Sequence, residues 1–249
     1  MIGAATLRSG FETALRIVYP PHCLACNEIV GSQGGLCGKC WAQTPFISGL
    51  TCDLCGTPLP GEEAEGGIVH CDDCLRIARP WTRGRAALIY RDSARRLILG
   101  FKHGDRTEIA RAAGQWMATA AQEIRLPGQI VVPAPLHWQR LFARRYNQAA
   151  LLAAETARCL GLSHCPDLLE RYRHTGTQEG KGAMARFDNL ADAIRVNPRH
   201  AARIRGRPVL LVDDVFTSGA TLAACADACL SAGASDVRVL ALARVVKDG

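Results

Sequence analysis

No stretch of this 249-residue sequence holds the roughly 18 consecutive apolar residues that a helix needs to cross a bilayer, which excludes an integral helical membrane protein. The segment Met1 to Arg8 lacks the apolar block and small-residue cleavage site of a secretory signal, so a cytoplasmic location is expected. Low-complexity tracts are missing, and 48% of the residues are hydrophobic, which excludes disorder as the dominant state. Lysine is scarce. Of 30 basic residues 26 are arginine, whose planar fork grips phosphate at two points.

Charge is unevenly spread. Residues 1–80 hold five basic against eight acidic side chains, whereas residues 81–249 hold 25 against 15, a balance of +10. A basic larger half suits an anionic ligand, a phosphate ester or a nucleic acid, although a solvated surface accounts for it equally well.

Eight of the twelve cysteines form four C-x-x-C pairs: Cys23/Cys26, Cys37/Cys40, Cys52/Cys55 and Cys71/Cys74. A two-residue gap lets both thiolates of a tight turn face one metal, and Zn²⁺ takes four such ligands tetrahedrally. Disulfides are disfavoured in a reducing compartment. Two structural zinc sites are therefore expected, with no open position for an activated water. The spacing allows a sequential or an interleaved pairing; the sequential one closes the shorter loops. Cys159, Cys165, Cys225 and Cys229 are expected to be buried small hydrophobes.

Leu7, Phe11, Leu15 and Val18 have helical spacing, and Pro20-Pro21 ends that segment. Three parts are expected: a helix within 1–21, a double zinc ribbon over 22–79, and a domain from 80 to 249. In the last, apolar strand runs alternate with helical segments, the pattern of an α/β fold with a parallel sheet flanked by helices. Expected strands are Ala86–Tyr90, Ile130–Val132, Leu168–Arg173, Ala193–Val196, Val209–Val212 and Val237–Ala241. Helices are expected near 93–102, 107–125, 146–160, 183–189 and 220–232.

The most informative segment runs Val209-Leu210-Leu211-Val212-Asp213-Asp214-Val215-Phe216-Thr217-Ser218-Gly219-Ala220-Thr221. Four apolar β-formers predict a strand buried on both faces. Ligands of open parallel sheets bind at the carboxyl ends of strands, where the two acids fall. The small residues Thr217, Ser218, Gly219, Ala220 and Thr221 follow, able to wrap an anion at a helix N-terminus. Acids that accept from sugar hydroxyls beside a phosphate cradle point to a sugar phosphate. A strand ending in Asp-Asp also fits a Walker B element, but the partner motif G-x-x-x-x-G-K-[ST] is missing. Gly176-Thr177-Gln178-Glu179-Gly180-Lys181-Gly182 fails in spacing and final residue.

On these residues the segment resembles the phosphoribosyl pyrophosphate (PRPP) motif of type I phosphoribosyltransferases. Together with the paired cysteine quartets, nearly the whole chain is similar to the ComF family of competence and GntX-like proteins. Further landmarks are Phe101-Lys102-His103-Gly104-Asp105, Val132-Pro133-Ala134-Pro135-Leu136, and Arg145-Tyr146-Asn147-Gln148.

The resemblance implies a type I phosphoribosyltransferase fold with a small zinc-ribbon module. Asp213 and Asp214 would hold the ribose hydroxyls, Thr217 to Thr221 the 5′-phosphate, and Mg²⁺ would accompany PRPP. Pro133, Ala134 and Pro135 would lie in a pyrophosphate loop, with Lys102, Arg140, Arg144 and Arg145 as cations on that side. Arg173, Thr175, Gln178, Arg186 and Asn189 would belong to a flexible loop that excludes water. Glu179-Gly180-Lys181-Gly182-Ala183 departs from the family's usual run in that loop.

Ribose 5-phosphate transfer to an acceptor nucleophile, linked to DNA uptake or utilisation, is the expected function. The alternatives are a non-catalytic competence factor binding single-stranded DNA, and a PRPP-sensing adaptor recruiting competence-machinery proteins. For the former, Trp138, Phe142 and Tyr146 are candidate base-stacking residues among arginines, although their four-residue spacing fits a core stripe better.

Overall fold

A computed structural model describes residues 19–32, 34–62, 67–136, 146–172 and 193–246. The chain divides into two compact units, 1–44 and 45–249. The helix expected before Pro20 and the one expected over 183–189 lie outside the described residues.

In the first unit His22 and Ile29 form a bridge around the turn that carries Cys23 and Cys26. Helix α1 (Gly38–Ala42) follows, capped by the Cys37 sulfur, which accepts from the Cys40 N–H at 3.4 Å. Five residues are too few to sustain a helix alone, so Cys37 at its N-cap and Cys40 within it supply the constraint.

The second unit opens with the same design. Thr51 and Pro58 bridge around the Cys52–Cys55 turn, and helix α2 (Asp72–Arg76) carries Cys74. Five parallel strands then form the main sheet: β1 (Arg83–Ile89), β2 (Ile130–Pro133), β3 (Ser163–His164), β6 (Pro208–Phe216) and β7 (Asp236–Arg244). Their spatial order is β1-β7-β6-β2-β3. A separate antiparallel pair joins β4 (Leu169–Arg171) to β5 (Ile194–Val196). The helices are α3 (Asp92–His103), α4 (Ile109–Ala120), α5 (Gln148–Leu160) and α6 (Ala220–Ser231). Among the described residues no helix is long and apolar enough to cross a membrane.

The central strands are apolar because helices cover them. Val209, Leu210, Leu211 and Val212 are fully buried, as are Ile130, Val131 and Val132 beside them. Asn147 caps α5 by accepting from the Ala149 N–H at 3.0 Å, and Gly161 ends it in the left-handed conformation.

The structure differs from the sequence expectations in several places. Strand β1 begins at Arg83 rather than Ala86, because β7 supplies pairing partners from Arg238 onward. The helix expected over 107–125 breaks after Ala120 into a single 3₁₀ turn, Gln122–Ile124. The two-residue β3 carries no periodic signal. Cys165, Cys225 and Cys229 are buried as expected, but Cys159 is exposed on α5.

The second ribbon is built into the sheet's core, its cysteines packing in the same apolar cluster as Trp81, Phe216 and the inner strands. Trp81 Nε1 donates to the Leu54 carbonyl at 2.7 Å, and the Gly84 N–H donates to the Asp53 carbonyl, also at 2.7 Å. A Cβ on Gly84 would collide with the Leu54 carbonyl oxygen, so only glycine admits this approach. Asp53 is buried. Burial alone would raise its carboxyl, but the Val69 N–H and the guanidinium groups of Arg85 and Arg83 outweigh that and hold it below the usual range.

Candidate functional site

Strand order places a switch point between β2 and β6. The chain leaves β2 for β3 on one side and β6 for β7 on the other, opening a crevice at their carboxyl ends. Pairing between β2 and β6 stops at Pro133 and Val212, so Asp213 and Asp214 are the next residues into that crevice. Both lie within β6, which pairs with β7 as far as Phe216. The strand therefore runs four residues beyond its expected end at Val212.

The two acids differ in their surroundings. Asp214 Oδ2 pairs with Lys102 Nζ at 3.0 Å, with both side chains largely buried. Asp213 Oδ1 accepts from the Asp214 N–H at 2.8 Å. Burial and the neighbouring Asp214 charge push the Asp213 carboxyl up to about 7, against smaller opposing effects of that N–H and of Lys102. Near neutral pH Asp213 thus sits close to its midpoint beside the Lys102–Asp214 ion pair.

Behind the acids, Thr217 is exposed, Ser218 partly so, and Gly219 buried. The Ser218 hydroxyl accepts from the Ala220 N–H at 3.4 Å at the start of the 12-residue helix α6. Gly219 adopts φ +83°, and a Cβ there would stand 2.6 Å from the Phe216 ring and 2.9 Å from Arg79 Nη1. Hydroxyls, amides and a helix N-terminus thus converge beside two carboxylates, a donor set suited to a phosphate next to a polyol.

Across the crevice, Pro133, Ala134 and Pro135 are buried, and the Ala134 N–H donates to the Val212 carbonyl at 2.8 Å. The Asn147 side chain donates to the Ala134 carbonyl at 3.1 Å, tying the loop to the start of α5. Tyr146 donates its hydroxyl to the Phe101 carbonyl at 2.6 Å and packs its ring near Phe101. It is a packing residue rather than an open stacking platform. Trp138, Arg140, Phe142, Arg144 and Arg145 lie outside the described residues, as do Arg173, Thr175, Gln178, Arg186 and Asn189. Lys102, Pro133 to Pro135, Asp213, Asp214 and Thr217 to Thr221 are brought to one end of the sheet.

Sequence reasoning missed two arginines. Arg244, at the end of β7, is only 4% exposed. Its Nη1 donates to the carbonyls of Phe216 (3.0 Å), Thr217 and Val245 (2.9 Å), its Nε donates to Thr57 Oγ1 at 3.0 Å, and it stacks 4.5 Å from the Phe216 ring centroid. Arg79 Nη1 donates to the Ser218 carbonyl at 2.8 Å and lies over Trp81 and Phe216. An arginine closing the apolar run Val239-Leu240-Ala241-Leu242-Ala243 was the available signal for Arg244, since buried charge requires partners.

The cysteines assemble sequentially: Cys23, Cys26, Cys37 and Cys40 in one cluster, and Cys52, Cys55, Cys71 and Cys74 in the other. Cys26 and Cys37 sulfurs lie 3.7 Å apart, and Cys55 and Cys71 sulfurs 3.6 Å apart. A Zn–S bond of about 2.3 Å gives a tetrahedral edge of about 3.8 Å, so both clusters fit the ion. Main-chain N–H groups of Ala25 and Cys37 reach the Cys23 sulfur at 3.5 and 3.2 Å, the support a thiolate ligand needs. A third group, Cys165, Asp167 and His200, is also compact, but Arg203 Nη1 sits 3.1 Å from the Cys165 sulfur, a cation already in place.

Residues 14–75 match the double zinc ribbon domain family. The chain is 29% identical over 229 residues to competence protein F of Haemophilus influenzae, covering 90% of this chain and 96% of that protein. It is 30% identical over 237 residues to the DNA utilization protein YhgH of Escherichia coli K12, covering 92% of this chain and all of that protein. Among solved structures, the glutamine phosphoribosylpyrophosphate amidotransferase of B. subtilis overlays 58% of this chain at a TM-score of 0.40 and 16% identity; the overlay spans 30% of that enzyme.

Proposed function

The chain belongs to the ComF family, and from that premise we propose that it binds PRPP with Mg²⁺ and transfers ribose 5-phosphate to an acceptor nucleophile during DNA uptake or utilisation. The observation that carries this reading is the pairing of Asp213 and Asp214 with a hydroxyl-bearing loop and helix N-terminus at the switch point of a parallel sheet.

Asp213 and Asp214 accept hydrogen bonds from the ribose 2′- and 3′-hydroxyls. Thr217, Ser218 and Thr221 supply hydroxyls, and residues 217–221 supply amides, to the 5′-phosphate, with the dipole of α6 adding to the attraction. Pro133 to Pro135 bound the pyrophosphate side, with Lys102 and the arginines of 140–145 as its cations. Asp213 and Asp214 are hard oxygen donors of the kind Mg²⁺ accepts and would hold the ion, which would supply charge neutralisation for the leaving pyrophosphate. Cleavage at the anomeric carbon develops positive charge on the ribose ring, which the acids at its hydroxyls stabilise electrostatically. The two zinc ions are structural. Location in the cytoplasm, where PRPP is made and thiols stay reduced, is part of the same proposal.

Calorimetric titration of PRPP with Mg²⁺ tests the reading. The wild-type chain is expected to bind, and Asp213→Asn with Asp214→Asn to lose binding by about a hundredfold or more, as for two lost charge-assisted hydrogen-bond sets. Equal binding by the double variant overturns it.

Direct engagement of single-stranded DNA is a second reading, supported by the +10 balance of residues 81–249 and by the names of the relatives. It requires affinity that falls steeply as salt rises.

A further inference from the structure

We propose that Arg79 and Arg244 are positioning residues through which the second cysteine cluster sets the geometry of the 5′-phosphate loop. The inference rests on the PRPP reading of that loop.

The argument begins with peptide geometry. In a trans peptide the carbonyl of one residue and the N–H of the next point in opposite directions. Arg244 takes the carbonyls of Phe216 and Thr217, and Arg79 takes that of Ser218. Three successive carbonyls are therefore each turned toward a guanidinium group. The N–H groups of Thr217, Ser218 and Gly219 belong to the same three peptides and must face the other way. That alignment makes an anion-binding concavity of main-chain amides, backed by two fixed positive charges.

Both arginines are in turn held by the ribbon. Thr57 Oγ1 lies 3.1 Å from the Cys55 sulfur and accepts from Arg244 Nε at 3.0 Å, so a single hydroxyl joins a cysteine of the cluster to the loop's clamp. Arg79 follows Cys74 by five residues and donates to the Ser218 carbonyl. Its guanidinium lies against both Trp81 and Phe216, whose rings meet edge to face at 5.8 Å, and Trp81 is tethered to the Leu54 carbonyl between Cys52 and Cys55. A side chain on Gly219 would strike both Phe216 and Arg79, so the loop has no slack against this clamp. A zinc ion holding Cys55 and Cys74 would thereby fix two arginines and, through them, the direction of three amides. The second ribbon thus acts on the loop although none of its cysteines reaches the crevice.

The test uses ribose 5-phosphate, which presents the 5′-phosphate without the pyrophosphate, and Mg-pyrophosphate as the contrasting probe, both titrated into the full-length chain. Arg244→Lys and Arg79→Lys keep charge but lose the fork. Each is expected to weaken ribose 5-phosphate by about tenfold or more, the loss of a charge-assisted hydrogen-bond pair. Affinity for Mg-pyrophosphate and a content of two zinc ions per chain should stay as in wild type. Thr57→Val, which leaves all eight cysteines intact, is expected to weaken ribose 5-phosphate in the same selective manner, by a smaller factor. Wild-type affinity in all three variants overturns the inference, as does an equal loss for both probes, which would report general unfolding. Failure of the wild-type chain to bind either probe instead overturns the PRPP reading itself.

Discussion

On the proposed function, Asp213 would make PRPP binding a proton-linked event, and the size of the effect follows from its environment. Its carboxyl titrates near 7 rather than near the ordinary value of about 3.9, because burial and the Asp214 charge disfavour ionisation. A ribose and Mg²⁺ site needs the carboxylate. With a midpoint near 7, about one molecule in eleven is ionised at pH 6 and about ten in eleven at pH 8, so apparent PRPP affinity should rise about tenfold over that range. The 5′-phosphate itself titrates near pH 6, so Asp213→Asn is the necessary control: its residual pH dependence is the ligand's own. Calorimetry at pH 6 in two buffers of different ionisation enthalpy counts the protons. The wild-type chain should release close to one more proton than the variant. The ligand-free protein must show the opposite trend in stability. A carboxyl raised in the folded state keeps its proton where the unfolded chain has lost it, so its contribution to stability falls as pH rises from about 4 to about 7, and is constant above. Equal proton counts for the wild-type chain and Asp213→Asn, with parallel affinity profiles, would refute this account of the pair.

Three further outcomes follow from the same contacts. Lys102→Met removes the cation paired with Asp214 at 3.0 Å and one of the influences lowering Asp213; the pH midpoint of PRPP binding should move upward, which the same titrations measure. Gly219→Ala forces a side chain onto φ +83° and against Phe216 and Arg79, and should cost about 1–3 kcal/mol in denaturant melts. Cys55→Ser should lower zinc from two ions to one per chain by colorimetric release, and lower the melting temperature of the sheet unit, since that cluster is part of its core.

Much of the fold was legible because its signals are local. Val209 to Val212 read as a strand covered on both faces, and the C-x-x-C spacing marked metal turns, because each depends on residues a few positions apart. The acids of β6 and the loop after it were visible for the same reason: strand, bend and helix start are contiguous in the chain. Legibility ended where partners lie far apart. Arg244 meets Thr57 across 187 positions and Arg79 meets Ser218 across 139, and no periodicity announces such a pair. Lys102 carried a signal as a cation near the site, but its pairing with Asp214 depends on how the end of α3 packs at the end of β6.

By itself, then, the order of residues determined a parallel α/β sheet, two four-cysteine clusters and a small-residue loop after paired acids, since turns, strands and caps are set by short-range sterics and hydrogen bonding. Only the tertiary structure decided that the second ribbon joins the sheet's core, that one acid holds its proton to about pH 7, and that two distant arginines take the loop's carbonyls. Those properties arise from burial and from charges brought together across the chain, and neither exists until the core has closed.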